Sequence, residues 1–282
     1  MPELPEVETI TARLRPVLLN KQIVSVEELH PKPFQGNSKS ILNQVIESVE
    51  RRAKIIRIRF GNQQNILIHL KMTGQLIYVD DHQRLGGGHP TEDWIKALPS
   101  KHTRVVLTFN DNSKLFFNDQ RLFGWLKVMS DQEVEKEFAK YGPDVNTDKF
   151  QLEQFANKIK SKSQPIKLTL LDHTIVAGIG NIYACDILHI SKIAPTRPSK
   201  SLTEKEVETV FTFSKEIIAK GIELGGTTFD GKYVNIDGMA GGYQKVARVY
   251  GRAGEACIVC GTAITKDRLG GRGTYWCTTC QI

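Results

Sequence analysis

The sequence predicts a multidomain α+β protein with four parts in order: an N-terminal helix, an antiparallel β sandwich or barrel, a helical domain and a C-terminal zinc ribbon. Three observations predict it. Between residues 22 and 128, short runs alternate apolar with polar residues, as in Ile56-Arg57-Ile58-Arg59-Phe60, which is the period of a strand with one buried face. From about Ser130 the apolar spacing becomes helical. The last 26 residues hold four of the five cysteines, in two closely spaced pairs. The boundaries that follow are a β domain over 1–130, a linker over 131–146, a helical domain over 147–230 and a ribbon domain over 231–282.

The chain opens "MPELPEVE". Leu4, Val7, Ile10, Leu14, Val17 and Leu18 recur at three- and four-residue spacing, so a helix running to about Leu19 turns one face to a core. Proline suits the first helical turn, and acidic residues there complement the positive end of the helix dipole. A second reading concerns Pro2. Removal of Met1 would leave it a free secondary amine, and an α-amino group with a pKa of roughly 8 is partly unprotonated near neutrality. Such an amine can attack a carbonyl or acetal carbon and form an iminium ion. The opening alone is compatible with both readings.

Strands are predicted over Gln22 to Val26, Lys54 to Phe60, Asn65 to Leu70, Gln75 to Val79, Arg104 to Asn110, Lys114 to Phe117 and Gly124 to Val128, with "GNQQ" and "NDNS" as turns. Leu85 to Pro99, with three consecutive glycines, reads as a loop. Helices are predicted over Phe150 to Lys160, from near Pro165, from Asn181, and from the capping box Thr203-Glu204-Lys205-Glu206 to Leu224, where Gly225-Gly226 stops the chain.

The cysteines are spaced C-x2-C-x16-C-x2-C, as Cys257, Cys260, Cys277 and Cys280. Each knuckle presents two sulfurs from one tight turn, and four thiolates satisfy tetrahedral zinc. The closed set leaves no open position, so one Zn2+ would be structural. Two disulfides are the alternative reading. Cys185, in an apolar helix pattern, reads as a buried thiol.

A formal charge of +7 suits a polyanionic partner or merely solvated lysines. With no basic-plus-apolar leader and no run of 18 apolar residues, the expectation is a soluble intracellular protein without membrane association. Gly178-Ile179-Gly180-Asn181 precedes a helix with Asn181 placed at the N-cap; it could bind phosphate or form an ordinary corner. Arg268 and Arg272 lie on the glycine-rich hairpin between the cysteine pairs. Met72 and Arg121-Leu122-Phe123 follow strands, and their large side chains either wedge into a base stack or close the core.

Several stretches together resemble one family, the formamidopyrimidine-DNA glycosylases, also called 8-oxoguanine DNA glycosylases: "MPELPEVET", "RRAK", "IHLKMTGQL", "DQRLFG", "PIKLTLLD", "AGIGNIYA", "LGGTT", "VYGRAGEAC" and "GGRGTYWCTTCQ". The resemblance covers nearly the whole chain. It implies a β-sandwich, a helix–two-turns–helix domain and a zinc finger around a cleft for double-stranded DNA bearing oxidised purines or abasic sites. It further implies a monomer in a bacterial cytoplasm, associated with the nucleoid, that acts as both glycosylase and AP lyase.

By the same matching, Pro2 is the Schiff-base nucleophile, Glu3 the proton donor, and Glu6 a support one helical turn away. Lys54 contacts phosphate and assists β-elimination, while Arg272 grips phosphate and assists δ-elimination. His69, His102, Arg121, Lys162 and Asn181 line the DNA backbone path. Met72, Arg121 and Phe123 fill the hole left by a flipped nucleotide, as extrusion of a base requires. The segment "TTFDGKYVN" after Gly225-Gly226 closes over the extruded base. Two positions depart from the pattern: Leu122 stands where a second basic residue is common, and Asp186 where glutamate is usual, which puts one base-pocket contact in doubt.

Overall fold

A computed structural model describes residues 2–89, 96–227 and 241–282, and in it the chain forms two compact units. The first comprises 1–139 and 224–242, the second 140–223 and 243–282.

The first unit is a sandwich of two five-stranded sheets. Helix α1 (Leu4–Leu18) precedes β1 (Ile23–Glu28), β2 (Phe34–Gln35), β3 (Ile46–Arg52), β4 (Ile55–Phe60), β5 (Gln64–His69), β6 (Gly74–Val79), β7 (Arg84–Gly88), β8 (Thr103–Phe109), β9 (Lys114–Asp119) and β10 (Trp125–Ser130). One sheet has the order β1-β8-β9-β6-β7 and the other β2-β10-β5-β4-β3. Pairing is antiparallel except at β2, which runs parallel to β10 through Phe34 opposite Leu126. Alternate residues of both sheets, among them Ile56, Ile58, Phe60, Ile66, Ile68, Leu76, Tyr78, Leu115 and Phe117, fill one core with Val7, Ile10, Leu14 and Leu18 of α1.

Helix α1 packs against β3 and β7, an edge strand of each sheet, so it closes one side of the sandwich. A β-carbon on Gly87 would come within 2.2 Å of the Ile10 side chain. That glycine lets β7 meet the helix. Strand β7 is a correction to the sequence reading, which treated 85–99 as a loop, because the glycines there serve close helix packing while keeping the ladder to β6. β3 was likewise not anticipated; its sequence IESVERR is too charged to read as a strand, yet an edge strand exposes one face and can carry charge.

Residues 131–146, read as a linker, begin with helix α2 (Asp131–Phe138). Asp131 accepts from Arg59 Nη2 at 2.9 Å, Arg57 Nη2 at 2.8 Å and Asn65 Nδ2 at 3.0 Å. Arg59 above all, then Asn65, holds this carboxyl down at about 2. Its folded pKa lies below the unfolded value near 4, so the stability it adds is present above about pH 4 and is lost as pH falls toward 2. We expect Asp131→Asn to melt below the parent at pH 7, with the gap closing as pH approaches 2. A gap unchanged by acid, measured by thermal denaturation, would remove this role.

The second unit contains α3 (Leu152–Lys160), α4 (Ile166–Leu170), α5 (Asn181–Ile190), α6 (Glu204–Glu223) and the hairpin β11 (Thr265–Leu269) and β12 (Arg272–Trp276). Phe150 stacks on Phe211 at 4.5 Å and meets Phe155 edge-on at 5.1 Å. The predicted capping box forms, with Thr203 N–H donating to Glu206 Oε2 at 2.7 Å and Glu206 N–H to Thr203 Oγ1 at 3.2 Å. No helix among the described residues is long and apolar enough to cross a membrane.

Candidate nucleic-acid site

Pro2 and Glu3 are buried at the start of α1, Glu3 only 2 % exposed. The Glu3 N–H donates to Glu6 Oε2 at 2.7 Å, so the residue beside Pro2 is tied to the first helical turn. The other Glu6 oxygen, Oε1, accepts from Thr227 N–H at 2.9 Å and from Thr227 Oγ1 at 3.2 Å. Glu6 thus joins the N-terminus to the segment after α6, from which it is 221 residues removed in sequence.

Gly226 makes that approach possible. It has φ +85°, and a β-carbon there would lie 2.8 Å from Glu6 Cγ and Oε1. We expect Gly226→Ala to combine left-handed strain of about 1–2 kcal/mol with displacement of Glu6, lowering the melting temperature. A parental melting temperature in calorimetry would show that the close approach does not need a glycine. Of "TTFDGKYVN", read as closing over the base, residues 228–235 lie outside the described residues.

Lys54 is half-buried in the turn joining β3 and β4, after Ala53 at φ +55°. Arg51 binds Glu8, and Arg15 Nε donates to Val49 O at 2.8 Å, fastening β3 to α1. His69 ends β5. Its Nδ1 accepts from Lys71 N–H at 3.0 Å, which puts the proton of the neutral ring on Nε2 and leaves that atom a donor. Burial, then the charges of Lys71 and Lys54, pushes its pKa down to about 3. Lys54 and His69 therefore share one electrostatic neighbourhood, a cation beside a neutral donor, suited to a phosphate.

Met72 and Phe123 are exposed, at 42 % and 48 %, so neither closes the core. Arg121 is exposed too and stands 4.8 Å from the Phe123 ring centroid. One buried carboxylate joins the loops that carry them. Asp119 Oδ1 accepts from Thr73 Oγ1 and from Arg121 N–H, and Oδ2 accepts from Gly124 N–H at 2.7 Å. The Asp119 N–H in turn donates to His102 O at 2.9 Å. Met72, His102, Arg121 and Phe123 are consequently organised around Asp119, which sequence reasoning did not single out. Leu122, at φ +55°, takes the strained turn conformation that sends its two neighbours outward.

In the second unit, the hairpin tip Gly270-Gly271 has φ of +56° and +77°, as a tight two-residue turn requires. It presents Arg272 exposed. Gly273 O, next to Arg272, accepts from Asn181 Nδ2 at 2.9 Å and from Lys167 Nζ at 3.1 Å. Lys167, fully buried, also donates to Thr274 Oγ1 at 2.7 Å. The predicted N-cap role of Asn181 is corrected: Gly180 takes that position, and the Asn181 amide instead anchors the hairpin. Its buried Oδ1 has no hydrogen-bond partner among the described residues, an acceptor that needs a donor. Lys162 follows α3, and among the described residues no hydrogen bond joins it to Asn181 or Arg272.

Asp186 is the second position that departs from the family pattern. It is fully buried, accepting from Tyr243 Oη and Arg248 N–H at 2.9 Å each, Val249 N–H at 3.0 Å and Tyr250 N–H at 3.2 Å. Its carboxylate is committed to holding 243–250 in place.

The Sγ atoms of Cys257, Cys260, Cys277 and Cys280 lie within 4.8 Å of one another, with Cys257 3.9 Å from Cys280 and Cys260 3.5 Å from Cys277. A tetrahedron of Zn–S bonds of about 2.3 Å has edges of about 3.8 Å. Hydrogen bonding to Cys260 is the largest influence pushing the Cys280 thiol up to about 12, an obstacle to ionisation that a divalent cation removes. The four residues fit one structural Zn2+, and Cys185 is buried, as anticipated.

A β-sandwich, a set of helices and a four-thiolate finger thus follow one another along the chain. Profiles for the formamidopyrimidine-DNA glycosylase N-terminal domain, the H2TH domain of the same enzymes and the zinc finger found in FPG and IleRS match residues 1–126, 141–232 and 254–282. The chain belongs to the formamidopyrimidine-DNA glycosylase family, whose members are glycosylases with AP lyase activity. It is 37% identical over 288 residues to the formamidopyrimidine-DNA glycosylase of Listeria innocua, covering 100% of each chain. Among solved structures it resembles Lactococcus lactis Fpg in complex with DNA containing an abasic site, with TM-score 0.88 and 30% identity over 99% of each chain. It also resembles MutM from Thermus thermophilus, with TM-score 0.86 and 34% identity over 99% of this chain and 98% of that one.

Proposed function

We propose that this chain excises oxidised purines from duplex DNA through a Schiff base on Pro2 and then cleaves the strand at the resulting abasic site. The observation that carries the reading is the buried Pro2-Glu3 pair, held by Glu6 in the same unit as the exposed Met72, Arg121 and Phe123. Complexes of the Lactococcus lactis relative with DNA containing an abasic site or Fapy-dG support the substrate class.

In this reading the Pro2 nitrogen lone pair forms a bond to C1′, and the glycosidic pair leaves with the base, which takes up a proton. Glu3 supplies that proton or protonates the sugar oxygen as the ring opens. The resulting iminium acidifies the C2′ proton; its removal expels the 3′ phosphate, and a second elimination expels the 5′ phosphate. Lys54 and His69 hold phosphate in the first unit, and Asn181 and Arg272 do so in the second. Lys54 assists the first elimination and Arg272 the second. His102 and Lys162 lie on the backbone path, and Met72, Arg121 and Phe123 occupy the space vacated by the flipped nucleotide.

A pyrimidine-preferring enzyme could share the proline start and zinc finger. Excision of 8-oxoguanine opposite cytosine is expected to exceed excision of thymine glycol by the same preparation. A preference for thymine glycol would overturn the purine assignment and leave the Schiff base untouched.

A further inference from the structure

Helix α5 carries a histidine that plays no part in the reaction above. His189 is 2 % exposed and lies between two groups from the finger segment: its Nδ1 is 3.1 Å from Arg248 Nε, and its Nε2 is 3.4 Å from Cys257 Sγ. The direction of both contacts follows from the guanidinium. Arginine nitrogens only donate and stay protonated, so Nδ1 must offer its lone pair and the single proton of the neutral ring resides on Nε2. Nε2–H therefore faces the sulfur as a donor.

We propose that His189 is a positioning residue of the zinc site that donates its Nε2–H to the Cys257 thiolate and retards loss of the metal. A Zn(Cys)4 centre carries net negative charge concentrated on sulfur. A donor withdraws density from the thiolate, fixes its direction and lowers its reactivity toward protons and oxidants. Cys257 is the ligand best placed to benefit, because it already accepts a backbone N–H from Val259 at 3.5 Å and is buried, whereas Cys260 is exposed. The line Arg248, His189, Cys257 also brings a positive charge behind the ring, polarising the N–H toward sulfur.

Three residues of α5 thereby hold the finger segment: Asn181 at Gly273 O, Asp186 at 243–250 and His189 at the first knuckle. The inference rests on the zinc assignment and is independent of the substrate reading, and its test reads no excision.

The full chain is loaded with 113Cd in place of zinc, and proton–metal scalar coupling is sought at the imidazole N–H. We expect a coupling at the Nε2 proton of His189, carried through the N–H···S bond and the Cd–S bond. Its absence in the parent protein overturns the proposal, whatever any variant does. Zinc transfer to a chelator is then timed for the zinc-loaded parent and for His189→Phe, which keeps a ring and removes the donor. Release is expected to accelerate about tenfold, the lower end of what loss of a ligand's supporting partner does to metal affinity. Arg248→Met, which leaves the ring in place but frees its tautomer, should weaken the coupling and give an intermediate rate. Release from both variants at the parental rate would overturn the claim that this bond retards metal loss.

Discussion

Borohydride treatment of the mature chain on DNA carrying 8-oxoguanine or an abasic site is expected to give a covalent complex, and the same chain with uncleaved residues ahead of Pro2 is expected to give none. The reason is electronic. A free N-terminal proline is a secondary amine whose lone pair can attack C1′, and the iminium it forms is what borohydride reduces. When another residue precedes it, the nitrogen becomes a tertiary amide with its lone pair delocalised into the carbonyl, so it can neither attack nor form an iminium. Burial of Pro2 and the bond from Glu3 N–H to Glu6 Oε2 hold that terminus in place instead of letting it fray. The extension leaves every other side chain of the protein unchanged, so anisotropy titrations are expected to show DNA binding by each form. Trapping by the extended form, with its N-terminus verified by mass spectrometry, would move the nucleophile elsewhere in the chain.

Glu3→Gln should abolish measurable base excision while lesion DNA still binds. Glutamine preserves the shape of the side chain and leaves the backbone N–H free to donate to Glu6. What it removes is a group able to give and recover a proton, a contribution of roughly 10²- to 10⁴-fold in rate. Single-turnover excision with saturating enzyme isolates that step from binding. Parental turnover in the variant would exclude Glu3 from the chemistry. Loss of affinity instead of rate would assign it to holding the N-terminus.

The parts of this protein legible in the sequence are those governed by local periodicity and turn chemistry. The apolar face of α1 is read from Val7, Ile10, Leu14 and Leu18, all of which reach the core. The Thr203–Glu206 capping box is a four-residue pattern, and the zinc knuckles are two C-x2-C turns. Strands β4, β5, β6, β8, β9 and β10 emerge from alternation. Where local signals conflict with tertiary demand, the reading changes: the glycines of β7 look like a loop until Ile10 needs their missing β-carbons, and charged β3 is stabilised by its ladder to β4. Met72 and Phe123 were ambiguous, because an apolar residue at a turn carries no mark of the side to which it points.

What only the tertiary structure decided is the set of buried polar residues that hold the site in shape. Asp119 meets Thr73 across 46 positions, Lys167 meets Thr274 across 107, His189 meets Cys257 across 68, and Glu6 meets Thr227 across 221. A lone aspartate, lysine or histidine in sequence has the composition of a solvated surface. Its burial becomes tolerable only when distant donors and acceptors satisfy it, and those partners are fixed by the packing of whole elements. The sequence by itself therefore determined which chemistry-bearing residues the chain possesses and the helices, strands and metal knuckles that carry them. The folded structure determined which of those residues meet, because each such meeting is a long-range hydrogen bond that no periodicity encodes.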